Sequence, residues 1–218
     1  MIECIIFDLD GVLTDTSRYH YLAWKRLADE KGIYFDEKIN ERLKGVGRRE
    51  SFEIILERSE RVFSEEEIKE CLNIKNEYYY DLIKRISSEN LYNGVEELLH
   101  QIKSKGLKIV LASASKNAQF IMERLGIGHF FDSIIDVNEV IQGKPAPDIF
   151  LLAAQKAGAL PQNCLVIEDS IAGLTAARRA NMNCYGIGGS DLIGLCDKVF
   201  KETKDINLNS IYEAERAC

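Results

Sequence analysis

The chain has 218 residues, with 28 Lys and Arg against 35 Asp and Glu, a formal charge of −7 and 46% hydrophobic residues, the balance of an ordinary soluble globular protein. The basic residues are interspersed with acids instead of forming blocks, which argues against a broad positive field for gathering nucleic acid. No run nears the roughly 18 apolar residues of a membrane span. Met1-Ile2-Glu3 leads into a short apolar stretch without a basic flank, so a cytoplasmic protein with no membrane partner is expected.

The first element is an apolar run over 4–7, read as a buried parallel strand. From about Thr16 to Ser88 the pattern is helical, with polar faces and no convincing strand. Within it Ser64-Glu65-Glu66-Glu67 is a capping box that opens a helix carrying Ile68, Leu72, Tyr79 and Leu82. This stretch reads as an inserted helical bundle. From Asn93 onward helices over 95–105, 116–125 and 148–157 alternate with strands over 108–112, 133–136, 165–167 and 184–187. Gly106 and Gly126 stand at helix C-terminal positions and Ser115 at an N-cap position. The expected fold is α/β, a doubly wound parallel sheet with right-handed crossovers and an inserted helical cap. The expected division is a discontinuous core, 1–14 and 91–218, with a cap over 15–90. The tail after Lys201 is polar, with a weak helix over 208–216.

The six cysteines (Cys4, Cys71, Cys164, Cys184, Cys196 and Cys218) are scattered, without a CxxC pair. They are read as reduced, with Cys4, Cys164 and Cys184 acting as small hydrophobes in the core. His20, His100 and His129 lie too far apart in sequence for a local metal cluster. Gly186-Ile187-Gly188-Gly189 lacks the spacing of a dinucleotide loop and reads as a turn at the sheet edge.

Four segments carry chemistry, all beside predicted strand ends, where doubly wound sheets bind ligands. Phe7-Asp8-Leu9-Asp10-Gly11-Val12 presents two carboxylates to one side of an extended segment, and Gly11 lets the backbone turn away. Such a pair needs a cation or a shared proton unless it only caps a turn. Leu111-Ala112-Ser113-Ala114-Ser115-Lys116-Asn117 gathers hydroxyls and free N–H groups where an anion could sit, or is a Ser-rich N-cap. Lys144-Pro145-Ala146-Pro147-Asp148 holds one cation before a proline-stiffened helix start, against the alternative of a solvated lysine. Ile167-Glu168-Asp169-Ser170 offers either a metal-binding carboxylate or a helix N-cap, before a small-residue helix from Ala172 that could approach the sheet closely.

In this order the four segments resemble the haloacid dehalogenase superfamily of phosphohydrolases and phosphomutases, over essentially the whole chain. Within it, Asp8 to Thr16 with His20, Leu43-Lys44-Gly45-Val46 with Arg48 and Ser51, Ala112 to Asn117, Lys144 to Asp148, and Glu168-Asp169-Ser170 resemble the β-phosphoglucomutase family. Gly47 departs from that pattern, standing where a Ser is expected.

The resemblance implies a mutase that interconverts β-D-glucose 1-phosphate and glucose 6-phosphate through an aspartyl phosphate and β-glucose 1,6-bisphosphate. It implies Asp8 as nucleophile, Asp10 as general acid and base, and Ser113 and Lys144 on the transferring phosphoryl group. It implies Mg²⁺ on Asp8, the Asp10 backbone carbonyl and Asp169, with Glu168 nearby. Arg48, Ser115, Lys116 and Asn117 are the candidates for a second, distal phosphate, with Ala114 in the same loop. Lys44, Gly45, Val46, Ser51, Lys75 and Asn76 are expected to face the sugar from the cap. Thr16 and His20 are expected to sense cap position, and Trp24 to be cap core or cleft wall. Linkers near Asp15 and Asn90 are the expected hinges of a closure that excludes water.

A sugar-phosphate phosphatase of the same fold is the rival reading. A catalytically silent sugar-phosphate-binding protein is a third, and the intact Asp8 and Asp10 speak against it. Small-molecule sugar phosphates are the expected partners, and a monomer is expected because no sticky face is visible.

Overall fold

The computed structural model describes residues 1–207, 209 and 211. Six parallel strands, β1 (Cys4–Phe7), β2 (Lys108–Leu111), β3 (Ser133–Ile134), β4 (Cys164–Glu168), β5 (Asn183–Ile187) and β6 (Lys198–Phe200), lie in the order β3-β2-β1-β4-β5-β6. The doubly wound α/β sheet is as expected, with two local differences. β6 extends the sheet beyond the anticipated edge, so the Gly186–Gly189 turn is flanked by a further strand. β3 is two residues long. The weak helix over 208–216 lies outside the described residues apart from Asn209 and Ile211, and Cys218 also lies outside them.

Alternation along each strand sorts the side chains onto two faces. Ile5, Phe7, Ile109, Leu111, Leu165 and Ile167 join one core, against α5 (Val95–Ser104) and α6 (Ala118–Leu125). Cys4, Ile6, Val110, Cys164, Val166 and Cys184 join the other, against α7 (Asp148–Ala157) and α8 (Ile171–Arg179). The cysteines at 4, 164 and 184 are thus core residues, and the five described cysteines are free thiols.

Between β1 and α5 the chain forms α1 (Ser17–Lys31), α2 (Glu37–Glu41), α3 (Arg48–Leu56) and α4 (Glu65–Ile83). A third apolar cluster, including Trp24, Leu27, Phe52, Ile55 and Cys71, holds these helices together. The capping box at α4 forms, with Ser64 Oγ accepting from Glu67 N–H and the Glu67 carboxylate accepting from Ser64 N–H at 2.8 Å. The chain leaves and rejoins the sheet domain through two strands of backbone lying side by side: Thr14 Oγ1 donates to Asn90 O at 2.7 Å, and Tyr92 N–H to Leu13 O at 2.9 Å. Among the described residues no helix is long and apolar enough to cross a membrane.

Candidate active site

At the carboxyl end of β1, the buried Asp8 accepts on Oδ2 from Asp10 N–H at 3.0 Å and on Oδ1 from Lys144 Nζ at 2.5 Å. Lys144 also donates to Glu168 Oε1 at 2.8 Å and Ala112 O at 3.1 Å, so one buried ammonium ties together the ends of β1, β2 and β4. Burial opposes its charge, but the Asp8 and Glu168 carboxylates outweigh that cost and keep it protonated.

Two glycines make room for the acids. Gly11 turns at φ +78°, and a Cβ there would stand 2.1 Å from Asp169 Oδ2. A Cβ on Gly173 would stand 1.7 Å from Glu168 Oε1. Glu168 is thereby seated against the start of α8, where its Oε2 accepts from Ser170 N–H at 2.6 Å and Ser170 Oγ at 2.9 Å. Ser170 Oγ in turn accepts from Gly173 N–H at 3.0 Å. The Ser170 N-cap and the Glu168 carboxylate therefore belong to one construction.

Carboxylate oxygens of Asp8, Glu168 and Asp169 lie within 4.8 Å of one another. Burial, followed by the charges of Glu168, Asp8 and Asp10, pushes Asp169 up to about 9. Burial likewise raises Asp8 to about 7 against the pull of Lys144. One lysine does not balance these acids. A hard divalent cation would, and an all-oxygen donor set suits Mg²⁺. The Asp10 side chain stands apart, its carboxylate accepting from the Thr16 hydroxyl. Tyr79 OH donates to Thr16 Oγ1 at 3.1 Å, and burial raises Asp10 to about 6.

Across a cavity of about 590 Å³ the helical insert presents basic side chains instead. Lys75 is 2% exposed and has no carboxylate partner among the described residues. Its Nζ lies 2.8 Å from His20 Nδ1, and 4.8 and 4.6 Å from the ring centroids of Trp24 and Tyr79. Burial, then the nearby Arg48 charge, holds its ammonium well below the usual lysine range. Arg48 donates from Nη2 to Asn76 Oδ1 at 2.7 Å, and burial lowers its own pKa.

Of the residues singled out in the sequence, Asp8, Asp10, Ser113, Ala114, Ser115 and Asp169 line this cavity from the sheet domain. From the insert come His20, Trp24, Lys44, Gly45, Val46, Arg48, Ser51 and Lys75. Lys144, Glu168 and Thr16 are outside the lining: Lys144 bonds Asp8, Glu168 bonds Lys144, and Thr16 bonds Asp10. Asn76 and Asn117 bond each other behind Arg48. Lys116 is exposed and outside the lining, which differs from the sequence reading, whereas Lys44 lines the cavity with its ammonium paired with Glu41 at 2.7 Å. The helix after Ser115 opens later than expected: Ser115 Oγ accepts from Asn117 N–H at 3.2 Å, and Asn117 is the N-cap. Trp24 stacks on Phe52 at 5.7 Å, forming both insert core and cavity wall.

Residues 2–181 match the family model for haloacid dehalogenase-like hydrolases. The chain is 43% identical to β-phosphoglucomutase of Bacillus subtilis over 97% of its length and 95% of that protein. The chain belongs to the haloacid dehalogenase-like hydrolase family, in its β-phosphoglucomutase branch. A crystal structure of β-phosphoglucomutase from Clostridium difficile superposes with a TM-score of 0.96 at 44% identity, covering 100% of this chain and 98% of that one. A phosphorylated carbohydrates phosphatase of Thermotoga maritima is 34% identical over 85% of each chain.

Three contributors lie outside the sequence motifs. The helical spacing of Tyr79 reads only as packing and carries no sign of its hydroxyl's bond to Thr16. Gly173 had a signal, in the run of small residues after Ser170. Thr203, whose hydroxyl donates to Val12 O at 2.6 Å, sits in a polar tail without a motif.

Proposed function

We infer that the protein is a β-phosphoglucomutase, an isomerase that moves a phosphoryl group between C1 and C6 of glucose. The observation carrying this reading is the two-ended cavity. One end has a carboxylate nucleophile held by a lysine, and the other has two basic side chains, Arg48 and Lys75, without carboxylate partners among the described residues. A hydrolase needs one phosphate site. A mutase working through a bisphosphate needs two, facing each other.

In this reading Asp8 attacks phosphorus, the bond from phosphorus to the sugar oxygen breaks, and Asp10 donates a proton to that oxygen. In the second half the other sugar hydroxyl gives its proton to Asp10 and attacks the aspartyl phosphate, releasing Asp8. Lys144 and the Ser113 hydroxyl hold the transferring oxygens. Thr16 and Tyr79 hold the Asp10 carboxylate. Asp8, the Asp10 carbonyl and Asp169, with Glu168 alongside, would hold Mg²⁺, which would supply the positive charge that lets one anion approach another. Residues 15–90 act as a cap on a core formed by 1–14 and 91–218, with hinges at the adjacent linkers near Asp15 and Asn90. The same reading carries a cytoplasmic monomer acting on small sugar phosphates, without nucleic acid or membrane partners.

Acid-quenched enzyme incubated with Mg²⁺ and glucose 1,6-bisphosphate should carry one phosphoryl group on the peptide containing Asp8, and Asp8→Asn should carry none. Phosphate found elsewhere, or turnover retained in Asp8→Asn, would contradict the assignment.

A further inference from the structure

Asn76 sits on α4 in the insert, and its Oδ1 is the meeting point of two donors from different parts of the molecule. Arg48 Nη2, from α3 of the insert, reaches it at 2.7 Å, and Asn117 Nδ2, from the loop after β2 in the sheet domain, at 2.9 Å. The network itself orients these amides. Arginine has no acceptor, so Asn76 must present oxygen to it, and Asn117 must then present nitrogen to the same oxygen.

A guanidinium has five N–H groups and a carboxamide nitrogen two, so each donor keeps free hydrogens after bonding Asn76. Arg48 makes no ion pair among the described residues, and burial works against its charge. A neutral acceptor therefore fixes its direction without neutralising it.

We propose that Asn76 is a positioning residue for the non-transferring phosphate: it occupies one donor of Arg48 and one of Asn117 and aims their remaining donors together at that phosphate. Because Asn76 and Arg48 belong to the insert and Asn117 to the sheet domain, the aligned set exists only when the two parts are closed on each other. The inference rests on the two-phosphate reading above.

Its test is calorimetric titration of the Mg²⁺-loaded protein with glucose 6-phosphate, alongside KM for acetyl phosphate, a phosphoryl donor with no second end. Asn76→Ala should weaken glucose 6-phosphate binding about tenfold, the scale of a lost hydrogen bond to a charged group. The effect on acetyl phosphate should be much smaller. Asn76→Asp separates positioning from bracing. It keeps the acceptor and the contact between insert and sheet domain, so thermal stability should hold, but its charge neutralises Arg48 and repels phosphate. Binding should therefore weaken at least as much as in Asn76→Ala. Wild-type binding in Asn76→Asp, equal losses for both ligands, or no loss in Asn76→Ala would overturn the proposal. A wild-type protein that binds glucose 6-phosphate with the predicted contrast but does not isomerise would leave the positioning role standing and remove the mutase reading.

Discussion

Gly45 of the insert lies directly against Ser170 of the sheet domain: a Cβ on Gly45 would stand 2.2 Å from Ser170 Oγ. Its φ is +72°, where an L side chain is strained as well as crowded. Ser170 also supports Glu168, so it cannot yield without loosening the site. Gly45→Ala should hold the insert partly open and lower kcat/KM by about 100-fold, the scale of an ångström-level misplacement. The cost in stability should be only about 1–2 kcal/mol. Crystallography or small-angle scattering with a bisphosphate analogue would show incomplete compaction, whereas wild-type kinetics would refute the contact's importance.

Lys75 should gain a proton when substrate arrives. Burial and Arg48 depress its pKa in the empty protein, and a phosphate dianion placed nearby raises it again. Above the depressed value, binding takes up protons and affinity falls with rising pH. Titration with glucose 6-phosphate at a series of pH values above about 7, where the ligand is already a dianion because its second pKa is about 6, should show net proton uptake between the free and bound values of Lys75, read across buffers of different ionisation enthalpy. Lys75→Met should abolish that uptake. Buffer-independent heats in the wild type would contradict it.

Asp132 illustrates a structural charge away from the cavity. Burial works to raise its pKa, but hydrogen bonds from Lys103 Nζ, Ile109 N–H and Lys108 Nζ hold it down to about 2. A depressed acid contributes stability above its unfolded pKa, and that contribution fades as pH falls through the folded value. Asp132→Asn should cost about 1 kcal/mol at neutral pH, after allowance for solvent screening of its exposed lysine partners. Urea unfolding at a series of pH values should show the difference closing between about pH 4 and pH 2. A constant difference would rule out the ionic origin.

Gly47, the departure from the family pattern, is the N-cap of α3 with extended backbone and no side-chain cap. A Cβ there meets Glu50 Oε2 at 2.3 Å, the movable end of a side chain already reaching back to the cap. Gly47→Ser would complete an S-x-x-E capping box with Glu50 and should stabilise the insert by a few tenths of a kcal/mol, about the usual difference between Ser and Gly at this position. Thermal denaturation would measure it, and a lowered Tm would count against it.

The acids at the strand ends were legible because each sits where an apolar run stops, and Lys144 because the prolines after it mark a helix start, both purely local patterns. β6 was not, since Lys198-Val199-Phe200 buries only Phe200 and shows no period over three residues. The interior position of Lys75 was equally hidden. Its own helix reads as charged, and two of the three rings that enclose it, Trp24 and His20, come from α1. The meeting of Asn76 with Asn117 across 41 residues is likewise a product of tertiary closure, which no spacing rule encodes.

In a mutase a sugar hydroxyl must reach the phosphoryl group on Asp8 before water does. Protein incubated with Mg²⁺, β-glucose 1-phosphate and a trace of β-glucose 1,6-bisphosphate should form glucose 6-phosphate well ahead of free phosphate, both followed in one sample. Free phosphate appearing at the same rate or faster would mean that the cavity serves hydrolysis, and would contradict the mutase.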